Sequence, residues 1–259
     1  MASNSYSFKT ALVTGGGGGI GKALSQQLVA DGKKVIIAGR TQSTLKLTAE
    51  EIGAIAYYPL DTGDVSSIPK FVQKLVAEHP DIDCLVNNAG VQRPLNADDD
   101  DPEEYLQKAD QEIDINVRGP MHLSMQLLAH FKTKPNALIV NVGSVLGLVP
   151  FSVINPVYCG TKAWLHFWTI NLRAQLKDTS VKVVEIVPPT VGTDLHRDRK
   201  DPNDNKKENN SSALTVEEFT DEVIEKWKRG DETISAGPGN RIADTWNESM
   251  GKIYREMAK

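Results

Sequence analysis

Short apolar runs alternate with longer amphipathic runs along most of this 259-residue chain. The apolar runs are nearly continuous, as in strands buried on both faces of a sheet, and the runs between them have helical length and period. Strands are expected at residues 11–13, 35–38, 55–58, 84–86, 137–142 and 181–187. Helices are expected at residues 19–31, 42–52, 66–78, 102–132, 156–177 and 215–229. A β-α unit repeated six times predicts an α/β fold with a parallel sheet between two layers of helices.

The same alternation predicts a doubly wound, Rossmann-type sheet, whose ligand crevice lies beyond the carboxyl ends of the strands. With 40% hydrophobic residues, residues 1–259 can bury one large core, so a single domain is expected. Residues 193–230 are expected to be a substrate-side insert within that domain. The first part, residues 193–214, carries almost nothing apolar, which fits either a mobile lid over the site or disorder.

Charge and composition exclude several classes of partner. The net charge of -5 argues against nucleic acid or an anionic membrane surface, which leaves small molecules. Two isolated cysteines, Cys84 and Cys159, do not form a disulfide framework, and the five histidines lack metal-ligand spacing. The sequence shows no apolar leader and no run long enough to span a bilayer, so a cytoplasmic protein without a metal is expected.

A glycine-rich stretch at residues 13–23 fits three nucleotide-binding loops. Gly16, Gly18 and Gly21 match G-x-G-x-x-G, and the run from Thr14 to Gly21 also matches T-G-x-x-x-G-x-G. The third candidate, a P-loop, needs a hydroxyl after its lysine, but alanine follows Lys22. The NTPase interpretation is therefore disfavoured, while the loop alone leaves the two dinucleotide registers open.

Segments further along the chain resemble the short-chain dehydrogenase/reductase superfamily, in its short single-domain branch. The matching residues are Thr14-Gly15-x-x-x-Gly19-Ile20-Gly21, Asn87-Asn88-Ala89-Gly90, Asn116-Val-Arg-Gly119, Ser144, Tyr158-x-x-x-Lys162, and Pro188 with Thr193. They occur in the family's order between about residues 10 and 193. The closing glycine-rich strand usual in the family is expected to be replaced here by residues 233–239 and a helix. Within the superfamily the chain resembles the poorly characterised oxidoreductases named after D-alanine transfer operons.

Tyr158 and Lys162 stand four residues apart in a predicted helix and are therefore neighbours on one face. An ammonium group and the positive nicotinamide ring of an oxidised cofactor would lower the pKa of the tyrosine towards that of a usable acid and base. The resemblance implies that Tyr158 protonates the substrate oxygen, Lys162 also binds the nicotinamide ribose, Ser144 hydrogen-bonds the substrate, and Asn116 holds a water. A hydrolase nucleophile at Ser144 is disfavoured because Gly143-Ser-Val-Leu-Gly147 is one place out of register with G-x-S-x-G.

The resemblance also selects the register of the glycine loop. Gly15 would make the turn, Gly19 would admit the pyrophosphate and Gly21 would let the helix pack, which leaves residues 16–18 as permissive filler. Further cofactor contacts that the resemblance implies are Ile20, Asp61, Asn88, Ala89, Gly90, Tyr158, Lys162, Pro188 and Thr193. A turn-forming role for Asp61 and a strand-tying role for Asn88 are the alternatives.

Cofactor choice follows from the residues after the second strand. An acidic residue there would bind the ribose 2′-hydroxyl of NAD, but the chain has Gly39-Arg40. The guanidinium of Arg40 offers a fork of donors suited to a 2′-phosphate, which favours NADP(H).

Together these features predict an NADP(H)-dependent oxidoreductase of the carbonyl reductase or alcohol dehydrogenase type. An isomerase or dehydratase that uses bound nicotinamide, and a non-catalytic NADP-sensing protein, are the alternatives. The apolar loop at residues 145–151 favours a largely apolar ketone or aldehyde as the small-molecule partner. The resemblance implies a homo-oligomer, a dimer or tetramer, because family members pair through the helix expected at residues 156–177.

Overall fold

The computed structural model describes residues 6–258, which form one seven-stranded sheet in which all neighbouring strands are parallel. The strands are β1 (Thr10–Thr14), β2 (Lys34–Gly39), β3 (Ala56–Pro59), β4 (Ile82–Asn87), β5 (Ala137–Val142), β6 (Val181–Val187) and β7 (Thr233–Ser235). Their order across the sheet is β3-β2-β1-β4-β5-β6-β7. The order reverses between β1 and β4, and at such a reversal the flanking connections diverge and open a crevice.

Helices cover both faces of the sheet. They are α1 (Gly19–Ala30), α2 (Gln42–Ile52), α3 (Ile68–Glu78), α4 (Pro102–Ile113), α5 (Gly119–Phe131), α6 (Pro156–Gln175), α7 (Val216–Arg229), α8 (Gly239–Glu248) and α9 (Met250–Met257). A π-helical turn, Asp114–Arg118, joins α4 to α5. Among the described residues no helix is both long and apolar enough to cross a bilayer.

The buried apolar residues divide into two cores, one on each face. Along β1, Ala11 and Val13 pack with α1, α2 and α7, whereas Leu12 packs with α3, α5 and α6. This is the two-residue alternation of a strand, and it explains why the strand reads as continuously apolar. The predicted doubly wound α/β fold and its β-α order are confirmed.

The structure corrects the prediction that the closing strand is replaced. Residues Thr233–Ser235 form β7 and pair in parallel with β6, in the register Glu185↔Thr233 to Val187↔Ser235. A three-residue strand followed by Pro238 is too short to give a periodic signal, which is why the sequence pattern did not reveal it.

The glycine loop also departs from one expectation. A Cβ at Gly16 would lie 2.7 Å from the Cβ of Ile37 on β2, so Gly16 is required by packing and is not filler. At Gly17 the nearest atom would be 3.4 Å away, and at Gly18 nothing lies within 4 Å. Only Gly17 and Gly18 are therefore sterically permissive.

We expect Gly16→Ala to lower the free energy of unfolding by about 1–3 kcal/mol, because the added methyl overpacks the contact with Ile37. Gly17→Ala, the matched control, should stay within about 0.5 kcal/mol of the wild type. Urea denaturation followed by circular dichroism measures both, and equal midpoints for the two variants would contradict this account.

Candidate active site

A cleft of about 570 Å³ opens at the carboxyl ends of the strands. Its walls come from the glycine loop and from the segments that follow β2, β3, β4, β5 and β6. The predicted site residues that line it are Gly15, Gly19, Ile20, Arg40, Asp61, Asn88, Ala89, Gly90, Ser144, Tyr158, Lys162, Pro188 and Thr193. Asn116 and Gly21 lie behind the walls, where Asn116 is 1% exposed and Gly21 packs against Asn88. Residues 6–258 contain no group of three or more side chains suited to hold a metal ion.

Hydrogen bonds tie the end of β1 to the end of β4. The hydroxyl of Thr14 donates to the carbonyl of Val86 (3.2 Å) and accepts from the backbone N–H groups of Asn88 (3.0 Å) and Ala89 (3.1 Å). The side-chain amide of Asn88 donates to the carbonyl of Thr14 (3.0 Å). The strand-tying role considered for Asn88 is therefore present, and the residue also lines the cleft.

The beginning of α1 has the properties of a phosphate site. Gly15 and Gly19 have φ values of 66° and 51°, which only glycine adopts readily. The N-cap, Gly18, supplies no side-chain hydrogen bond, and the first turn of α1 has no acidic residue. The free N–H groups of this turn can therefore donate hydrogen bonds to an anion, and the positive end of the helix dipole stabilises the bound anion.

Arg40 and Asp61 line the cleft where the chain leaves β2 and β3. Arg40 is exposed and lines the wall beside Gly39 and Thr41, so no carboxylate occupies the position after β2. Asp61 accepts a hydrogen bond from the N–H of Gly63 (2.9 Å), which is the turn role considered for it. Its carboxylate lines the cleft as well, so the turn holds the side chain at the wall.

The proposed catalytic side chains meet where β5 ends and α6 passes. Tyr158 and Lys162 are each 5% exposed, and the Nζ of Lys162 lies 5.6 Å from the centre of the Tyr158 ring. Nζ also donates to the carbonyl of Val142, the last residue of β5, at 2.8 Å. Ser144, two residues further on, accepts from the N–H of Leu146 at 3.2 Å. The strand end and the helix thus fix these side chains independently of any flexible loop.

Burial dominates the protonation of this group. It raises the pKa of Tyr158 above its ordinary value, and the neighbouring Ser144 hydroxyl only partly opposes it. Burial also lowers the pKa of Lys162 to about 8, although the carboxylates of Glu112 and Glu185 oppose that change. Among the described protein groups burial is the largest influence on the pKa of Tyr158, and the expected lowering by the ammonium of Lys162 is not found. The further lowering expected from the positive ring of an oxidised nicotinamide stays a prediction.

Asn116 lies in the π-helical turn and holds the cleft wall from behind. Its side chain accepts from the N–H of Val91 (2.9 Å) and donates to the carbonyl of Val91 (2.8 Å) and the hydroxyl of Thr161 (3.2 Å). The side-chain amide is thus engaged in joining the segment after β4 to α6. Short π-helical segments are frequent at functional sites, where they re-aim a side chain in this way.

A polar network that the sequence did not predict lines part of the cleft. Arg199 donates to Gln92 and Asn155 (2.8 Å each) and pairs with Asp204 (2.7 Å), which also bonds His196. These polar side chains add to the apolar contact of Leu195 with Tyr158 in connecting residues 193–214 to the other walls. Hydropathy therefore carried no signal for these polar contacts.

We expect Gly19→Val to raise the Kd for NADPH about tenfold or more, because a β-branched residue is strained at a φ of 51°. The added side chain would also press against Thr193, which lies 3.2 Å from the Cβ position. Gly17→Ala, in the same loop, should change Kd by less than about twofold, since its methyl meets no closer atom than 3.4 Å. Fluorescence titration with NADPH measures both constants, and equal losses would rule out this register.

Comparison with known proteins agrees with this geometry. The family model of short chain dehydrogenases matches residues 9–204. The uncharacterized oxidoreductase DltE of Bacillus subtilis is 33% identical, over 96% of this chain and 96% of that protein. The NADP-dependent 3-hydroxy acid dehydrogenase of Schizosaccharomyces pombe is also 33% identical, over 96% and 98%. A short-chain dehydrogenase from Sphingobium yanoikuyae, solved in complex with NADPH, has a TM-score of 0.82 at 21% identity, covering 97% of this chain and 96% of that one. The chain therefore belongs to the short-chain dehydrogenase family.

Proposed function

We propose that the protein is an NADP(H)-dependent oxidoreductase that moves a hydride between nicotinamide and a carbonyl or secondary alcohol carbon. The observation that carries this proposal is one continuous cleft with a phosphate-binding helix end at one side and Ser144, Tyr158 and Lys162 at the other. A dinucleotide needs the first feature, and proton transfer to or from a substrate oxygen needs the second.

The residues present fit the cofactor. The first turn of α1 would bind the pyrophosphate, Arg40 the 2′-phosphate and Asp61 the adenine amino group. Pro188 and Thr193 would border the nicotinamide, since both line the cleft, Thr193 beside Gly19 and Pro188 beside Val145. The relative from Schizosaccharomyces pombe is named NADP-dependent, which supports the same choice here. When bound, the nicotinamide supplies or accepts the hydride.

The side chains of the chain itself would handle the proton. Because burial keeps the pKa of Tyr158 high, its phenol retains the proton at neutral pH and can donate it to a carbonyl oxygen in reduction. The hydroxyl of Ser144 would hydrogen-bond the same oxygen and stabilise developing negative charge. Lys162, fixed by the carbonyl of Val142, would bind the ribose and stabilise phenolate in the reverse direction.

The substrate end of the cleft supports a largely apolar carbonyl compound. Leu146 and Leu195 pack around Tyr158, and Phe151 lines the opening while remaining 58% exposed. The polar network of Arg199 and Gln92 borders these residues, and the Schizosaccharomyces pombe relative is named for 3-hydroxy acids. A substrate panel should therefore contain both neutral ketones and 3-oxo acids.

We further propose that the protein is a cytoplasmic homo-oligomer in which residues 193–230 form a lid. Phe167 is 52% exposed on α6, beside the stacked rings of Trp164 and Trp168, which supports a homo-oligomer formed through this helix. The unpaired cysteines, Cys84 and Cys159, are compatible with the cytoplasm. Residues 193–230 would act as a substrate-side lid that Arg199 fastens to the cleft wall.

We expect Tyr158→Phe to lower kcat/KM for carbonyl reduction by about 10²–10⁴-fold while the Kd for NADPH stays within about twofold, because only the proton donor is lost. NADPH oxidation and fluorescence titration measure the two quantities. Tyr57→Phe on β3, which lies outside the cleft, is the matched control and should keep full turnover. Undiminished turnover in Tyr158→Phe would overturn the proposed mechanism, and a wild type that binds NADPH without any turnover would favour a sensor.

Arg40→Asp should reduce the preference for NADPH over NADH by about 10–100-fold, because a charge-assisted hydrogen bond to the 2′-phosphate is replaced by repulsion. The measurement is the ratio of kcat/KM for the two cofactors with one carbonyl substrate. Arg241→Asp on α8 makes the same charge change outside the cleft and should leave the ratio unaltered. A ratio that is equal in both variants would remove Arg40 from the cofactor site.

A further inference from the structure

Glu112 is a buried carboxyl group that the proposed mechanism does not use. It lies at the end of α4, and its side chain is fully buried, with 0% exposure. One carboxyl oxygen accepts from the N–H of Arg93 at 3.2 Å. The other oxygen is buried and has no hydrogen-bond partner among residues 6–258. An unpaired buried carboxylate is strongly destabilising, so such a group is kept only where it is neutral or serves the site.

We propose that Glu112 is an ionisable positioning residue, whose carboxyl, neutral or charged, sets the charge that Tyr158 and Lys162 experience. This inference rests on the proposed function, in which Tyr158 is the general acid and base. Ionisation of Glu112 breaks one O–H bond, and the released proton goes to solvent.

The backbone connects Glu112 directly to the cleft wall. Glu112 and Asn116 are four residues apart and hold the same short segment after β4, Asn116 through Val91 and Glu112 through Arg93. Gln92, between these two anchors, lines the cleft and accepts from Arg199. A change of charge on Glu112 therefore occurs one layer behind the cleft wall that Gln92 lines, and on a helix, α4, that packs against α6 with its Tyr158 and Lys162.

Burial, one hydrogen bond and two cationic groups determine the pKa of Glu112. Burial raises its pKa to about 7, while the N–H and guanidinium of Arg93 and the ammonium of Lys162 oppose that rise. The guanidinium of Arg93 is bound to Gln111 on α4 and to Asp198 in residues 193–230, so it acts on Glu112 through its charge and not through a hydrogen bond. Around neutral pH both the acid and the carboxylate are consequently present.

The effect on the reacting groups has a defined sign. Burial is the main cause of the raised pKa of Tyr158, and a negative charge on Glu112 raises it further, while Arg199 opposes both. Burial also raises the pKa of the adjacent Cys159 thiol, and the charge of Glu112 adds to that rise. Neutral Glu112 therefore makes phenolate easier to form, and ionised Glu112 makes it harder.

A second buried carboxyl group near Lys162 has the buried hydrogen-bond partner that one oxygen of Glu112 lacks. Glu185 on β6 is bound to the imidazole of His166 at 2.7 Å, and both side chains are almost fully buried. Glu185 thus has a buried partner for its charge, whereas the second oxygen of Glu112 has none among the described residues.

Two measurements test the proposal on the intact protein. In wild type labelled with ¹³C at the glutamate carboxyls, we expect one NMR resonance to titrate with a midpoint of about 7, and it should disappear in Glu112→Gln. This measurement needs no catalysis, so it stands even if Tyr158→Phe overturns the proposed function. If every glutamate resonance of the wild type titrates at the ordinary pKa of glutamate, the inference is overturned. This holds whether or not the Gln variant folds.

The second measurement is the pH profile of kcat/KM for alcohol oxidation with saturating NADP⁺. Glu112→Gln keeps a neutral side chain, so the rising limb should shift to lower pH by about 0.5–1 unit. Glu112→Asp retains an ionisable group and should restore the limb towards that of the wild type. Asp83 is a buried carboxylate outside the cleft that accepts a hydrogen bond from the N–H of Thr10. Asp83→Asn should therefore reduce stability without moving the limb. An unshifted limb in Glu112→Gln, with normal NADPH binding, would reduce Glu112 to a structural role.

Discussion

The hydrogen bonds by which the Thr14 hydroxyl joins the end of β1 to the end of β4 are the constraint on which the site depends. Parallel strands put their carboxyl ends at one edge, but only the reversal of strand order between β1 and β4 separates the connections there. Thr14 and Asn88 hold these two strand ends together while the backbones beyond them diverge. The glycine loop then enters α1 on one side, and the segment clamped by Asn116 follows on the other.

Desolvation is the second constraint, and it acts on chemistry as well as on packing. The same burial that fixes Tyr158 and Lys162 raises the pKa of the tyrosine and lowers the pKa of the lysine. In the proposed mechanism such a site would donate a proton in reduction, and the reverse direction would draw on the positive charge of the oxidised nicotinamide. Buried carboxylates on two sides of Lys162 oppose part of this loss, one bound to His166 and one at Glu112.

Features encoded over short distances could be predicted from the sequence. The strands and helices follow from local periodicity, and one helical turn makes Tyr158 and Lys162 neighbours, whereas their assignment to the site came from the family resemblance. Features that need distant residues could not be predicted: the requirement for Gly16 comes from Ile37 on the next strand, and β7 is recognisable only by its pairing with β6. Glu112 looks like a solvated residue of a charged helix, because nothing local shows that Arg93 and α6 cover it. The network around Arg199 was missed for the same reason, since it joins segments far apart in the chain.

Isotope tracing distinguishes hydride transfer to a substrate carbon in this cleft from the isomerase and dehydratase alternatives. NADPH deuterated at the transferable position of C4 would be incubated with an accepted carbonyl substrate, and the alcohol product analysed by mass spectrometry and NMR. The account predicts one deuterium per product molecule, located on the carbinol carbon. Product without deuterium, formed while the cofactor keeps its label, would contradict it and identify an isomerase or dehydratase.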